Sequence, residues 1–419
     1  MLKDLKKLIA IPSVSGEVDG EFPFGKPCHD ALEQALEICK GYGFTTKKCG
    51  NYCGYAEIGS GEEIFGILVH LDVVPAGNGW EFDPYDVTVS DGRIYGRGVI
   101  DDKGPAIAVI HAMKDLAKLD LNKRVRLIFG TSEETGAGDD IAYYKEHEEP
   151  VTLGFTPDAD FPVVYLEKGL AKVELSMPKN EVTYLKGGTA ANMVPDSCEI
   201  KFMIHDKEYG ALSCGKSAHG SMPHLGINAI GIAIEEAHKL ARANDEYEVP
   251  FIWGYRKLFD KDYDGKRLGV DFYDEQSGGT TVNVGLIEKV DDIITITLDI
   301  RCPVSVTSDM LISAIKAKAE PLGFEVKLTE WVDSVHMDKD CDFIKTLMSA
   351  YQKVTGDMTE PLIMGGGTYA REMKNVVAFG PVFQGRECTE HQPNEYMLEE
   401  DFYKLKDIYF DAIKMTCSK

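Results

Sequence analysis

Short, continuous apolar runs alternate along this chain with longer stretches of helical period. Ile64–Leu71 (IFGILVHL), Val125–Phe129 (VRLIF), Val151–Phe155 (VTLGF) and Val376–Phe379 (VVAF) are brief and rich in β-branched residues. Such runs predict strands buried on both faces. A short amphipathic helix opens the chain, ahead of a Gly/Pro/Ser loop around Ile11–Gly16. Further helical patterns lie near Cys28–Tyr42, Pro105–Leu119, Phe343–Val354 and Glu399–Met415. In the second of these, Ile107, Ile110, His111, Leu116 and Leu119 are the candidate buried positions. Strands separated by helices predict an α/β fold with a mostly parallel sheet.

The middle of the chain has a different rhythm. From about Gly169 to Val335 alternating strands, such as Ala171–Ser176 and Ile293–Arg301, accompany helices near Ala229–Asn244 and Asp309–Leu322. This predicts a separate α+β unit, residues 169–335, inserted into a domain built from residues 1–168 and 336–419. Within it GGTAAN at Gly187–Asn192 returns as GGTTVN at Gly278–Asn283, each ahead of an apolar-alternating segment. Two Gly-Gly-Thr turns can arise by chance. The asparagine at the same place in both favours a duplicated unit.

A length of 419 residues suits two domains. The net charge of -24 repels polyphosphate and argues against a nucleic-acid partner. No apolar stretch has transmembrane length, and MLKDLKKLIA is too charged for a signal peptide, so the expectation is a cytoplasmic protein without a membrane partner. The ten cysteines are expected to be reduced, small, buried residues; CGNYC at Cys49–Cys53 has no second half to complete a zinc site.

The polar residues at strand ends change the picture. His70 and Asp72 close the Ile64 strand, Glu133 and Glu134 follow the Val125 strand, and Asp158 follows the Val151 strand. His391 lies on the loop after the Val376 strand, and Asp101 on a Gly-rich loop, GRGVIDDKG, before a helix. Ligands of open parallel sheets collect beyond the carboxyl ends of the strands. Two imidazoles with several carboxylates and no thiolate suit Zn²⁺, Mn²⁺ or Co²⁺. Asp72 is placed to hold the His70 imidazole by its second nitrogen. In the Glu133-Glu134 pair one carboxylate can bind metal while the other faces the attacking water. Gly96–Gly104 lacks the form of a phosphate loop and is expected to be the turn that presents Asp101.

These motifs resemble the M20 family of metallopeptidases over nearly the whole chain. They are HLDVVPAGNGW (His70–Trp80), YGRGVIDDKGP (Tyr95–Pro105), TSEETG (Thr131–Gly136), TPDADFP (Thr156–Pro162) and EHQPNE (Glu390–Glu395). ANMVPD (Ala191–Asp196), GKSAHGSMPHLGINA (Gly215–Ala229) and GGGTYAR (Gly365–Arg371) point to the branch of bacterial dipeptidases of the PepV type. The resemblance implies a di-metal hydrolase domain with an inserted lid. It implies that Asp101 bridges two divalent ions, zinc first and manganese or cobalt as alternatives. His70 and Asp158 would complete one site, Glu134 and His391 the other. Asp72 would orient His70, and Glu133 would be the general base acting on a water shared by the ions. The Asp101–Asp102 peptide is expected to be cis.

From the inserted unit the resemblance implies His219 as an oxyanion donor assisted by Asn192, with Arg301 binding the carboxylate of a small peptide substrate by its planar fork. Arg371, after three glycines, is a weaker candidate for the same cleft. His111, His147, His205, His224 and His336 are expected to be structural. The chain is short for this branch, which suggests a trimmed lid. A duplicated lid would let a monomer suffice. An N-acyl-amino-acid deacylase of the same family is the near alternative. A catalytically inactive binding protein is the distant one, disfavoured because Glu133 and all five ligand positions are present.

Overall fold

The computed structural model describes residues 1–136, 138–178, 181–244 and 249–418. It divides into two compact units: Met1–Leu166 with His336–Ile363 and Gly367–Lys419, and Glu167–Val335 with Met364–Gly366.

The first unit is built on a sheet whose order runs Thr45–Cys49, Cys53–Gly59, Arg124–Gly130, Ile64–His70, Leu153–Thr156, Val376–Ala378 and Val164–Glu167. The four strands from Arg124–Gly130 to Val376–Ala378 are parallel; the flanking strands pair antiparallel. Every residue of Ile64–His70 is buried, as expected for a central strand covered on both faces. Helices Lys103–Leu116, Asp342–Thr355 and Glu399–Cys417 belong to this unit. Ile107, Ile110 and Leu116 are fully buried, but Leu119 is 40% exposed. The helix ends at Leu116, so Leu119 has left the buried face and the expectation for it fails.

The second unit is a seven-stranded antiparallel sheet. Its order is Lys207–Cys214, Ser197–Ile204, Val182–Gly187, Thr281–Val290, Ile293–Cys302, Gly169–Pro178 and Glu325–Val332. Along Gly169–Pro178 the side chains of Ala171, Val173, Leu175 and Met177 point to one face, the period-2 pattern of a half-covered sheet. They join a core with residues of helices Ala229–Ala243, Pro250–Leu258 and Ser308–Ala319.

The two GGTxxN segments do not adopt the same conformation. The first leaves the Val182–Gly187 strand and becomes the loop that carries Asn192; the second ends inside a strand, at Asn283. All ten cysteines are free thiols, and seven are buried. Cys214 and Cys388 are exposed and Cys341 is partly so, contrary to the expectation of uniform burial. Among the described residues no helix is long and apolar enough to cross a membrane.

Candidate metal centre

The carboxyl ends of the parallel strands deliver the candidate residues. His70 is the last residue of its strand and is fully buried. Its Nδ1 lies 2.9 Å from the carbonyl oxygen of Asp72. A carbonyl only accepts, so Nδ1 carries the proton and the Nε2 lone pair faces outward. That lone pair meets Asp101 Oδ1 at 2.7 Å and Asp158 Oδ1 at 3.9 Å. On the other side of Asp101, His391 Nε2 lies 2.8 Å from Oδ2 and 3.1 Å from a Glu134 oxygen. The structure thus brings together two donor groups, His70–Asp101–Asp158 and Asp101–Glu134–His391, which share Asp101.

The donor set fits two cations. A bare imidazole lone pair and a carboxylate oxygen repel at 2.7 Å unless a positive charge lies between them. The electrostatics of the protein alone show the same deficit. Burial, and then the charge of Asp101, pushes Asp158 up to about 7 against the pull of His70. Burial, and then the charge of Asp101, also raises Glu134. Burial opposes a charged His391, yet Asp101 and Glu134 outweigh it and raise that imidazole to about 11.

Glu133 belongs to neither group. Burial first, then the charges of Asp158, Glu134 and Asp101, holds its carboxyl well above the ordinary range. Asp72 meets His70 with its carbonyl and, farther off, with its carboxylate. The imidazole is held by the Asp72 carbonyl, and the nearer carboxylate oxygen is 3.6 Å away. That carboxylate accepts the backbone N–H groups of Glu133 at 3.1 Å and Glu134 at 3.0 Å.

Several positioning groups escaped the sequence reading. Glu395 is fully buried and accepts from the backbone N–H of Gly98 and Ile100 and from Arg97 Nη1 at 2.6 Å. It therefore ties the His391 loop to the Asp101 loop. Its signal was available, since it ends the EHQPNE motif and an acid buried there needs donors. Asp102, in cis peptide linkage to Asp101, accepts the His70 N–H at 3.2 Å. Asp140 accepts the N–H groups of Thr131 and Ser132 and the hydroxyl of Tyr369 at 2.5 Å, fixing the TSEETG turn. Gly130 is required there, because a Cβ would lie 2.1 Å from the Tyr369 hydroxyl. No local pattern links Asp140 to Tyr369, 229 residues away. Arg371 follows Tyr369 on a short 3-10 turn, with its guanidinium against the backbone of Gly367.

A model of the peptidase family M20/M25/M40 matches residues 66–415. The chain belongs to that family. It is a hydrolase of peptide bonds, as its motifs imply. A Staphylococcus aureus (strain MW2) protein, provisionally named a dipeptidase, is 34% identical over 457 aligned residues, covering 100% of this chain and 97% of that protein. The alignment is longer than the 419 residues here, so the relative carries insertions. Two solved structures share the fold. An M20 family metallo-carboxypeptidase from Sulfolobus solfataricus has a TM-score of 0.63 and 20% identity, covering 99% of this chain and 98% of that one. Human carnosine dipeptidase 1 has a TM-score of 0.64 and 16% identity, covering 99% and 95%.

The candidates His219, Asn192 and Arg301 belong to the second unit. His219 is exposed, and its Nδ1 accepts the Ser221 backbone N–H at 3.2 Å, which places the proton of the neutral ring on Nε2. Asn192 is exposed on the adjoining loop. Arg301 is buried, and its Nε and Nη2 form a fork on Asp299 at 2.6 and 2.8 Å, while Nη1 donates to the Gly365 carbonyl at 2.7 Å. The fork expected to bind substrate is thus already engaged. One hydrogen on each Nη is left for a further acceptor.

Proposed function

We propose that this M20 peptidase is a dipeptidase that uses two divalent ions. The observation that carries the reading is Asp101, whose two oxygens each face a different imidazole, with Glu133 beside both groups and a member of neither. His70, Asp101 and Asp158 would hold one ion; Asp101, Glu134 and His391 would hold the other. Mixed imidazole and carboxylate ligation suits zinc first, with manganese or cobalt as alternatives. Bound there, the ions supply Lewis acidity, which polarises the amide carbonyl and lowers the pKa of a water.

The chain's own residues do the rest. Glu133 accepts the proton of the attacking water on its carboxylate and returns it to the departing amine nitrogen. Its backbone, anchored on Asp72, holds the carboxylate in place while the proton is carried. The Nε2–H of His219 and the side chain of Asn192 donate to the scissile carbonyl oxygen as it gains charge. Arg301 receives the free carboxylate of the substrate through its two remaining Nη hydrogens. The 34% identical relative named as a dipeptidase supports a free dipeptide as the substrate.

The test is a hydrolysis assay on free dipeptides, N-acetyl amino acids and N-succinyl amino acids, with and without chelator. Chelator-sensitive cleavage of the dipeptides is expected. Preferential cleavage of the acylated amino acids would identify a deacylase instead.

A further inference from the structure

The strand Thr281–Val290 buries three successive side chains, Val282, Asn283 and Val284. Neighbours on a strand point to opposite faces. Val282 and Val284 enter the hydrophobic core of the second unit. Asn283, 1% exposed, faces the other way and spends its amide on the loop that carries Asn192. Its Nδ2 donates to the carbonyl oxygens of Ala191 and Met193, each at 2.9 Å. Both hydrogens of the amide are used, and the two acceptors bracket Asn192.

The clamped loop is in turn zipped to the turn that carries His219. The Asn192 carbonyl accepts the Gly220 N–H at 2.6 Å, and the Val194 N–H donates to the Ala218 carbonyl at 2.8 Å. Met193 and His219 pair as an isolated antiparallel bridge. Two glycines make room for this contact. A Cβ on Gly285 would lie 2.0 Å from the Ala191 oxygen, and one on Gly220 would lie 2.9 Å from the Asn192 backbone. Farther along, Asn228 Nδ2 donates to the Val284 carbonyl at 2.9 Å, so the His219 segment is tied to the same strand.

We infer that Asn283 is a positioning residue: its amide fixes Asn192, and through the Asn192 carbonyl the His219 turn, so that the two donors address one carbonyl oxygen together. The inference rests on the proposed role of Asn192 and His219. It also gives the recurring GGTxxN segments a division of labour. The asparagine of the first is presented, and that of the second holds the loop that presents it. A donor displaced by an ångström loses most of its effect on a developing charge, while ground-state substrate binding is affected less.

The test measures kcat and KM on a cleaved dipeptide for Asn283→Ala and Asn283→Asp, alone and combined with the double variant Asn192→Ala, His219→Ala. The aspartate keeps the size of the side chain but cannot donate to either carbonyl. Each single variant is expected to lower kcat about 10- to 100-fold with KM changed less than about threefold. In the background that lacks both donors, Asn192→Ala with His219→Ala, the further loss should shrink to less than about twofold, because the residue acts through them. Thermal unfolding of each variant controls for folding. Undiminished kcat in both Asn283 variants, or the same loss with and without the two donors, would overturn the inference. If Asn192→Ala and His219→Ala themselves keep full kcat, the proposed role of the two donors fails and the inference falls with it. Loss of kcat in those two but not in the Asn283 variants removes the positioning role alone.

Discussion

The carboxylate of Asp72 accepts the backbone N–H of Glu133 at 3.1 Å, and the Asp72 carbonyl holds Nδ1 of His70 at 2.9 Å. One residue thus serves both a metal-ligand candidate and the candidate base, through different atoms. Asp72→Ala removes only the carboxylate. The carbonyl still orients His70, so metal affinity at the His70 group should change little, while the Glu133 turn loses its anchor. The expected result is a fall in kcat of roughly 10- to 100-fold, measured beside a metal titration. A large loss of metal at unchanged kcat per metal-loaded enzyme would show that the carboxylate acts on His70 after all.

Glu395 should matter to metal binding although it touches none. It pins Gly98 and Ile100 beside Asp101 and lies four residues after His391. Glu395→Gln keeps the shape but turns a donor toward those N–H groups. Metal affinity should fall about 10- to 100-fold, read by competition with a chromophoric chelator. Unchanged affinity with a lowered melting temperature would make the residue structural only.

The sequence carried the strands and the chemistry at their ends, because short buried strands give continuous apolar runs and ligands stand out beyond them. The candidate ligands His70, Glu134 and Asp158 stand at or just past such strands, whereas Asp101 and His391 lie on loops and were picked out by their motifs. The contacts that hold them were not legible. Which atom of Asp72 meets His70 depends on the local path of the backbone, and the Tyr369–Asp140 bond joins distant segments whose composition is ordinary. Arg301 shows the same limit from the other side. An arginine at a strand end looks available for a substrate, and the acid two residues earlier that occupies its fork is revealed only by the bend of its side chain.

Arg301→Ala should therefore have two effects. It should raise KM for dipeptides with little change for a C-terminally amidated analogue, and it should destabilise the second unit by leaving buried Asp299 unpaired, at about 3–5 kcal/mol. Arg301→Lys keeps a charge but not the fork, and should retain part of the stability without the KM advantage of the free carboxylate. Equal KM increases on both substrates would assign the arginine to structure.

Acid stability should depend on Asp4. Burial raises its carboxyl, but hydrogen bonds from Tyr42, His111 and Lys7 outweigh it and hold the group at about 2. A depressed folded value means the stabilisation is full above the unfolded value of about 3.9 and fades as pH falls through about 2. Asp4→Asn should lower the melting temperature at pH above about 5, with the gap to the parent closing as pH approaches about 2. A gap that stays constant across that range would contradict the linkage.

The central claim is that Glu133 moves the proton and binds no metal. Glu133→Gln keeps the size of the side chain and removes the base, while His70, Asp101, Asp158, Glu134 and His391 stay as they are. The most direct measurement is metal content and dipeptide turnover on the same purified sample of this variant. Two metal equivalents per chain with turnover reduced about 10²- to 10⁴-fold is the predicted result. Loss of one metal equivalent, or turnover near that of the parent protein, would contradict it.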